Sequence, residues 1–153
     1  MRVTRVFDAR GFTIMELMVD ALIIGILSAL ALPMFLSYYR GATLRAGAEE
    51  VVTVLNTARQ LAITANNTVC VSATTTSLQY HVGACASTTY VGPGTDTNGN
   101  IALTTPVQIT NDPQVTFSYL GGATVNGAYN VRNPVDGAVQ TVTVTSSGRI
   151  SIP

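Results

Sequence analysis

The apolar run from Phe12 to Leu36 constrains this chain more than any other feature. As a helix it would extend for about 37 Å, and the hydrocarbon core of a bilayer is about 30 Å thick. Residues 1–11 precede the run and contain three arginines against one aspartate. Positive flanks stay on the cytoplasmic side of a membrane. The run therefore predicts a single membrane-spanning helix, with the remainder of the chain outside the cytoplasm.

Two acidic residues, Glu16 and Asp20, lie inside this apolar run. A charged side chain at the centre of a bilayer costs about 2.5–3.5 kcal/mol on insertion scales. At a spacing of four residues the two carboxylates share one helix face, and they repel each other if both are ionised. Their presence needs a reason that simple anchoring does not supply.

Two simpler interpretations of the run are a secretory signal peptide and a plain membrane anchor. The segment Ala29-Leu30-Ala31 offers a cleavage site of the kind that signal peptidase uses. However, the apolar part of a signal peptide is about 7–15 residues long, whereas this run is longer and contains acids. The helical pattern also continues past the run, which makes sense only if the run stays attached. Both interpretations are therefore less favoured.

Apolar residues continue at helical spacing through residues 37–65. The residues on this stripe are Val51, Val54, Leu55, Ala58, Leu61 and Ala62. Arg45, Glu49, Asn56 and Arg59 fall largely off it, so this part predicts an amphipathic helix that packs one face on another element. The asparagines of "ANNT", residues 65–68, are suited to end the helix.

Gly25 and Pro33 are the two weak points of the helical pattern. Proline removes a backbone donor and clashes with the preceding turn, and glycine is a poor helix former. We expect a kink or local melting of the helix near residues 25–33.

After residue 65 the apolar residues alternate with a period of two, which is typical of strands. The strand-like segments are "VCVSA", "LQYHV", "IALTT", "VQIT", "VTFSYL", "AYNV", "AVQTVTVT" and "RISI". Clusters rich in Gly, Asn, Asp and Pro, such as "VGPGTDTNGN" and "LGGATVNG", separate them as turns. Residues 66–153 therefore predict an antiparallel β domain with one buried face, covered by the stripe of the amphipathic helix.

The charge and the cysteines narrow the range of functions. The formal net charge is zero and all eight basic residues are arginines, so the chain is a weak electrostatic partner for nucleic acid.

In an exported chain, Cys70 and Cys85 predict a disulfide. The bridge would close a loop of about 15 residues and stabilise the domain by about 3 kcal/mol. Two reduced core thiols are the alternative.

Other motifs give no sign of a catalytic or metal site. "DTNGN", residues 96–100, resembles the start of a calcium loop, but Ile101 and Val107 occupy the positions that need Gly and Glu. A turn is the better interpretation. His81 is the single histidine and lies in a strand-like segment without a catalytic partner pattern, so we expect it to be structural. We predict no cofactor and no enzymatic activity.

The segment "RGFTIMELM" resembles the class III signal of type IV pilin-like proteins. The resemblance implies that prepilin peptidase cleaves after Gly11 and that the new N-terminal residue, Phe12, is N-methylated. It also implies that Glu16, the fifth mature residue, pairs with the N-terminal amine of a neighbouring subunit during assembly. Gly25 and Pro33 fall where pilin-like helices carry their helix-loosening residues.

The body of the chain is similar to the GspH/FimT family of minor pilins and type II secretion pseudopilins. The matching segments are "LNTARQLAITANNTVCVS", "VTFSYLGG" and "VTVTSSGRISI". The resemblance implies an α+β fold in which a long N-terminal helix packs on a C-terminal antiparallel β-sheet domain. Four parts follow from the pattern and the resemblance together: a leader at residues 1–11, a transmembrane and assembly helix at 12–36, an amphipathic continuation at 37–65 and a globular domain at 66–153.

The function implied by this resemblance is that of a structural subunit. Other pilins or pseudopilins, prepilin peptidase and the bacterial inner membrane are the expected partners. The globular domain would lie in the periplasm until the protein enters a type IV pilus or a type II secretion pseudopilus. The sequence does not distinguish between these two filaments.

Asp20 departs from the family pattern, because this position is usually apolar in pilin-like proteins. Three interpretations stay open. Asp20 is protonated within the hydrocarbon, or lies shallow enough to reach the cytoplasmic headgroups, or meets a partner charge in the assembled filament.

The C-terminal segment "SSGRISIP" raises an alternative function. Some members of the resembled family bind DNA through a C-terminal Gly-Arg-x-Arg motif. Gly148 and Arg149 match this motif, but Ser151 stands where the second arginine would be. The alternative is a filament-borne DNA-binding minor pilin for natural transformation, with Arg149 as the candidate DNA contact. The near-neutral charge of the body disfavours it.

Overall fold

The computed structural model describes residues 11–153. The leader predicted at residues 1–11 therefore lies outside the described residues except for Gly11. One helix, α1, spans Ile14–Thr64. The chain divides into two compact units at Tyr38 and Tyr39, and each unit is described by itself below.

In the N-terminal unit, Thr13 caps the start of α1. Its hydroxyl Oγ1 accepts a hydrogen bond of 3.2 Å from the backbone N–H of Glu16. The sequence Thr13-x-x-Glu16 is a capping-box pattern, in which the cap satisfies an N–H group that the helix itself leaves free. The helix is continuous through Gly25 and Pro33. Local melting is therefore absent from this conformation, and loosening during assembly stays a prediction.

Asn66 ends the helix in the second unit. It adopts a positive φ of 49°, a conformation that asparagine tolerates better than most residues. The N–H groups of Asn66 and Asn67 donate to the carbonyls of Ile63 and Ala62, at 3.3 and 3.2 Å. This pair of bonds is a Schellman motif. The helix thus ends at Thr64, shortly before the asparagines and one residue before the boundary expected from the sequence.

Nine short strands follow the helix and form two antiparallel sheets. The strands are β1 Val69–Ala73, β2 Ser77–Val82, β3 Asn100–Ala102, β4 Gln108–Ile109, β5 Val115–Phe117, β6 Ala123–Val125, β7 Gly127–Arg132, β8 Val139–Val144 and β9 Ile150–Ser151. One sheet has the order β3-β2-β1-β5-β6 and the other has the order β4-β7-β8-β9. Every pairing within them is antiparallel.

The second half of α1 and the inner faces of both sheets share one hydrophobic core. The buried helix residues are Leu44, Gly47, Ala48, Val51, Val54, Leu55, Ala58 and Ala62. The largest fully buried side chains are Tyr129, Phe117, Leu55 and Leu78. The hydroxyl of Tyr80 donates to the carbonyl of Val54 at 2.8 Å and so joins β2 to the helix. Burial raises the pKa of this hydroxyl to about 12. The α+β fold with a long helix on antiparallel sheets is confirmed.

Two segments of the β domain differ from the sequence prediction. "VTFSYL" was expected to be one strand, but β5 ends at Phe117 and the next residues form a turn. "LGGATVNG" was expected to be a turn, but it contains β6. The prediction failed here because the residues have the polarity opposite to the usual one. Exposed apolar residues occupy the turn, and the short strand that follows it is rich in small and polar residues.

Glu50 connects α1 to the loop between β3 and β4. Its carboxylate accepts hydrogen bonds from the N–H and hydroxyl of Thr104, both at 2.8 Å. It also accepts bonds from the hydroxyl and N–H of Thr105, at 2.8 and 3.3 Å. Partial desolvation by itself would raise the pKa of Glu50, but the four hydrogen bonds outweigh it and hold the pKa below its ordinary value of 4.5.

Glu50→Gln should therefore lower the free energy of unfolding at neutral pH by about 1–2 kcal/mol, since hydrogen bonds to a charged group are stronger than neutral ones. The contribution of the carboxylate is complete above pH 4.5 and is lost as the pH falls through its lowered value, so the difference from wild type should shrink toward pH 3. Thermal unfolding of both full-length chains in detergent, at pH 7 and at pH 3, measures this difference in stability.

Glu49→Gln is the matched control for this prediction. Glu49 is exposed, and among residues 11–153 its carboxylate pairs only with Arg45, at 3.1 Å, one turn away on the same helix. Such a surface pair is worth about 0.3–0.5 kcal/mol. Equal losses of unfolding free energy in the two variants at pH 7 would show that the hydrogen bonds from Thr104 and Thr105 to Glu50 do not stabilise the fold.

Candidate assembly site in the N-terminal helix

Gly11 and Phe12 precede the first turn of α1, and both are exposed. A side chain at Gly11 would meet no atom within 4 Å. Phe12 is 77% exposed. The bond between them, where cleavage is expected, thus lies next to the capped start of the helix and is free of contacts from the described residues.

The first part of α1 presents apolar side chains on all sides. Every residue from 11 to 42 is exposed, including every large apolar side chain between Phe12 and Leu36. This helix is long and apolar enough to cross a membrane. A helix that is hydrophobic all round is stable only when lipid or other protein surrounds it. The segment therefore requires either a bilayer or neighbouring helices.

Glu16 and Asp20 lie on one face of this helix, a turn apart, but in different settings. Glu16 occupies the first turn, where the helix dipole favours an acidic side chain. Asp20 lies one turn deeper, in a shallow apolar groove with Phe12, Leu17 and Ile24. Within residues 11–153, neither carboxylate has a basic partner within 4 Å. Glu16 is thus the acid placed near the end of the helix, and Asp20 is the acid placed among apolar side chains.

Cys70 and Cys85 form a disulfide. The bridge joins β1 to the segment that follows β2. His81 lies opposite Cys70 in the register of these two strands. Its Nε2 lies 2.9 Å from the hydroxyl of Ser72, and its Nδ1 lies 3.1 Å from the carbonyl of Ser87. Both ring nitrogens are thus engaged inside the protein, which is a structural role for the histidine.

The loop "DTNGN" is closed by its own hydrogen bonds. One carboxylate oxygen of Asp96 accepts from the N–H groups of Asn98 and Asn100, and the other accepts from the side-chain amide of Asn100. These bonds, led by that of the Asn100 side chain, lower the pKa of Asp96. The carboxylate is thus used to shape a turn. No group of three or more His, Cys, Asp or Glu side chains in the described part of the chain is arranged to hold a metal ion.

Arg149, the candidate DNA contact, lies exposed between β8 and β9. Gly148 before it has φ +78°, and a Cβ there would overlap the carbonyl oxygen of Gly121. The glycine of the Gly-Arg pair is therefore required by the turn itself. Ser151, at the place of the second arginine, lies in β9. The Gly148-Arg149 pair thus supplies one exposed positive charge, that of Arg149, at this turn.

Three structural features were missed by the sequence prediction. The pattern of Thr13 and Glu16 was visible as a capping box but was used only as part of a processing signal. The hydrogen bonds from Thr104 and Thr105 to Glu50 had no signal in the local sequence, because these partners lie more than fifty residues away. The contact of Gly121 with Gly148 also depends on tertiary structure.

Comparisons with known proteins agree with this architecture. The GspH family model, described as type II transport protein GspH, matches residues 47–148. Two Pseudomonas aeruginosa proteins described as fimbrial protein are each 33% identical to this chain over 119 residues, which are 78% of this chain and 75% of theirs.

A solved structure shows the same fold at low sequence identity. The type IV minor pilin FimU of Pseudomonas aeruginosa matches with a TM-score of 0.50 and 14% identity, over 72% of this chain and 87% of that one. The family match covers most of the globular domain, and the fimbrial relatives cover three quarters of the chain. The chain therefore belongs to the GspH family of pilin-like proteins.

Proposed function

We propose that this protein is a minor pilin or pseudopilin, a structural subunit that enters a type IV pilus or a type II secretion pseudopilus and supports its assembly. Prepilin peptidase cleaves it after Gly11, and Phe12 is then N-methylated. The globular domain lies in the periplasm before assembly. Its partners are other subunits, which it meets through the N-terminal helix.

The observation that carries this proposal is the exposed apolar surface between Phe12 and Leu36, with Glu16 in its first turn. Such a helix is stable in a bilayer and equally stable among helices of its own kind. It can therefore move from the membrane into a filament without exposing apolar surface to water. A plain anchor would need no acid in this segment.

Glu16 acts in this proposal as the residue that sets the position of the subunit. A carboxylate in apolar surroundings is costly when it is alone, and this cost falls when it meets the N-terminal amine of a neighbouring subunit. Only one axial position of the helix brings the two charges together. The other positions leave an unpaired charge in an apolar environment and are disfavoured.

Mass spectrometry of the N-terminal peptide tests the processing step. The full chain is extracted from membranes of cells that contain the prepilin peptidase, and the first peptide is sequenced. A peptide that starts at methylated Phe12 supports the proposal. A peptide that starts at Met1, or just after Ala31, contradicts it, because these are the products expected of an unprocessed anchor and of a signal peptide.

DNA binding is a weaker second candidate. Arg149 is exposed, and among the residues described here it has no acidic side chain within 4 Å. Residues 39–153 nevertheless carry five arginines and five acids, so phosphates would find little net attraction. An Arg149→Ala variant of the full chain that keeps the same affinity for duplex DNA at low salt would exclude this contact.

A further inference from the structure

The hairpin between β5 and β6 has an unusual tip. The N–H of Gly121 donates to the carbonyl of Ser118, and the N–H of Ser118 donates to the carbonyl of Gly122, both at 2.8 Å. With φ +82° at Gly121, this is a tight turn closed by a glycine bulge. Tyr119 and Leu120 occupy its central positions, where Asn, Asp, Pro or Gly are usual. They are 52% and 79% exposed, and Leu120 is the most exposed large apolar residue of the second unit.

The tip lies over the last turns of α1. A Cβ on Gly121 would lie 3.1 Å from Nε of Arg59 and 3.2 Å from Cδ1 of Ile63. Ile63 is itself 47% exposed. Because Tyr119 and Leu120 directly precede Gly121 in the turn, we group them with Arg59 and Ile63 as one surface, which we call the tip surface. It combines three exposed large apolar side chains with one guanidinium.

Arg59 lacks a partner in this surface. Its Nε is buried and makes no hydrogen bond, and in residues 11–153 no acidic side chain lies within 4 Å of its guanidinium. The two terminal nitrogens of the guanidinium also make no hydrogen bond within residues 11–153 and, unlike Nε, they keep some solvent exposure, so an incoming group can reach them. The planar guanidinium matches the two oxygens of a carboxylate better than any other common acceptor. A partner group that binds the terminal nitrogens therefore has the chemistry of an aspartate or glutamate side chain, or of a chain terminus.

We propose that the tip surface docks an acidic segment of a neighbouring pilin subunit, with a carboxylate on Arg59 and apolar side chains on Tyr119 and Leu120. This inference rests on the proposed function, because the neighbour is a filament subunit. Arginine and tyrosine are enriched at the centres of protein interfaces. A protein fits the surface better than DNA does, because a phosphate backbone offers little apolar surface to Ile63 and Leu120.

Photocrosslinking in cells tests the proposal on the full chain. The photoreactive probe p-benzoylphenylalanine replaces Leu120, and the same replacement at Val135, an exposed residue in another turn, is the matched control. We expect Leu120 to crosslink to a pilin-like protein that mass spectrometry identifies, at a peptide containing Asp or Glu. We expect no such product from Val135.

Arg59→Gln in the Leu120 probe chain should lower the crosslink yield about tenfold, because the charged hydrogen bond is lost. Arg59→Lys should keep part of it. Closure of the Cys70–Cys85 bridge, seen as faster migration on a non-reducing gel, verifies that each variant is folded.

Three outcomes overturn the proposal: a crosslink yield that does not depend on Arg59, a product that nuclease removes, or no pilin product from a chain that is present in sheared filaments. The last result refutes the tip surface and leaves the proposed function intact. Absence of the wild-type chain from filaments refutes the proposed function instead.

Discussion

Glu16→Ala should leave the chain in the membrane and remove it from filaments. Loss of a carboxylate from the apolar run favours insertion by up to about 2.5–3.5 kcal/mol on insertion scales. The variant therefore enters the bilayer at least as well as wild type. Since the Thr13 cap uses only the backbone N–H of residue 16, the start of the helix is also kept.

The defect should appear when subunits meet. Without the Glu16 carboxylate, the amine of the neighbouring subunit enters the helical bundle unpaired. Removal of one member of a buried ion pair costs about 3–5 kcal/mol, which is more than a hundredfold in an equilibrium. Immunoblots of the membrane fraction and of sheared filaments, made from the same cells, measure insertion and incorporation separately.

Asp20→Ala is the control for removing an acid from the same face of the same helix. Because Asp20 is not in the first turn of the helix, we expect this variant to enter filaments as wild type does. Equal loss of incorporation in both variants would contradict a specific role for Glu16. Normal incorporation of Glu16→Ala would contradict it directly.

Gly148→Ala should produce the largest loss of stability of any glycine-to-alanine change in the globular domain. The new Cβ would overlap the carbonyl oxygen of Gly121, with further contacts to the backbone of Gly122. These atoms are backbone and cannot turn aside as a flexible side chain can. An overpacked contact costs about 1–3 kcal/mol, and the left-handed conformation at φ +78° adds about 1–2 kcal/mol for alanine.

Gly94→Ala separates these two causes. Gly94 also has a positive φ, +87°, but a Cβ there would meet no atom within 4 Å. We therefore expect this variant to lose only the conformational part, about 1–2 kcal/mol. Thermal unfolding of both full-length variants in detergent gives the comparison. Similar losses in the two would show that the turns at residues 121 and 148 do not pack as described.

The sequence predicted those parts of the fold that depend on local periodicity. The stripe that includes Val51, Leu55 and Ala58 is buried as expected, because a period near 3.6 brings these side chains to one helix face. The asparagines after Thr64 end the helix by the conformation that asparagine tolerates. The cysteine pair forms its bridge, for which strand β1 brings Cys70 near the segment that contains Cys85.

The sequence prediction failed where a residue type is used against its usual preference. Tyr119 was assigned to the strand "VTFSYL" because the residues after the helix alternate with a period of two, and Leu120 was the residue shared by this strand and the turn cluster "LGGATVNG". They lie instead at the tip of a turn, which is the reason they now indicate a docking surface. That no acidic side chain within residues 11–153 lies near Arg59 could not be predicted either, since it depends on which acids the tertiary structure brings near.

For the candidate assembly site, the sequence predicted the residues, and the structure adds their setting. The family resemblance already distinguished Glu16, as the assembly acid, from the off-pattern Asp20. The structure adds that Glu16 lies in the capped first turn and Asp20 in an apolar groove. The cleavage after Gly11, the methylation of Phe12 and the loosening at Gly25 and Pro33 stay predictions.

The most direct measurement is the amount of this chain in purified sheared filaments, compared between wild type and Gly11→Val. If the chain is a processed filament subunit, wild type is recovered in filaments with methylated Phe12 as its first residue. The uncleaved Gly11→Val variant then stays in the membrane. Equal recovery of both chains from filaments, or recovery of both from membranes alone, would contradict the account.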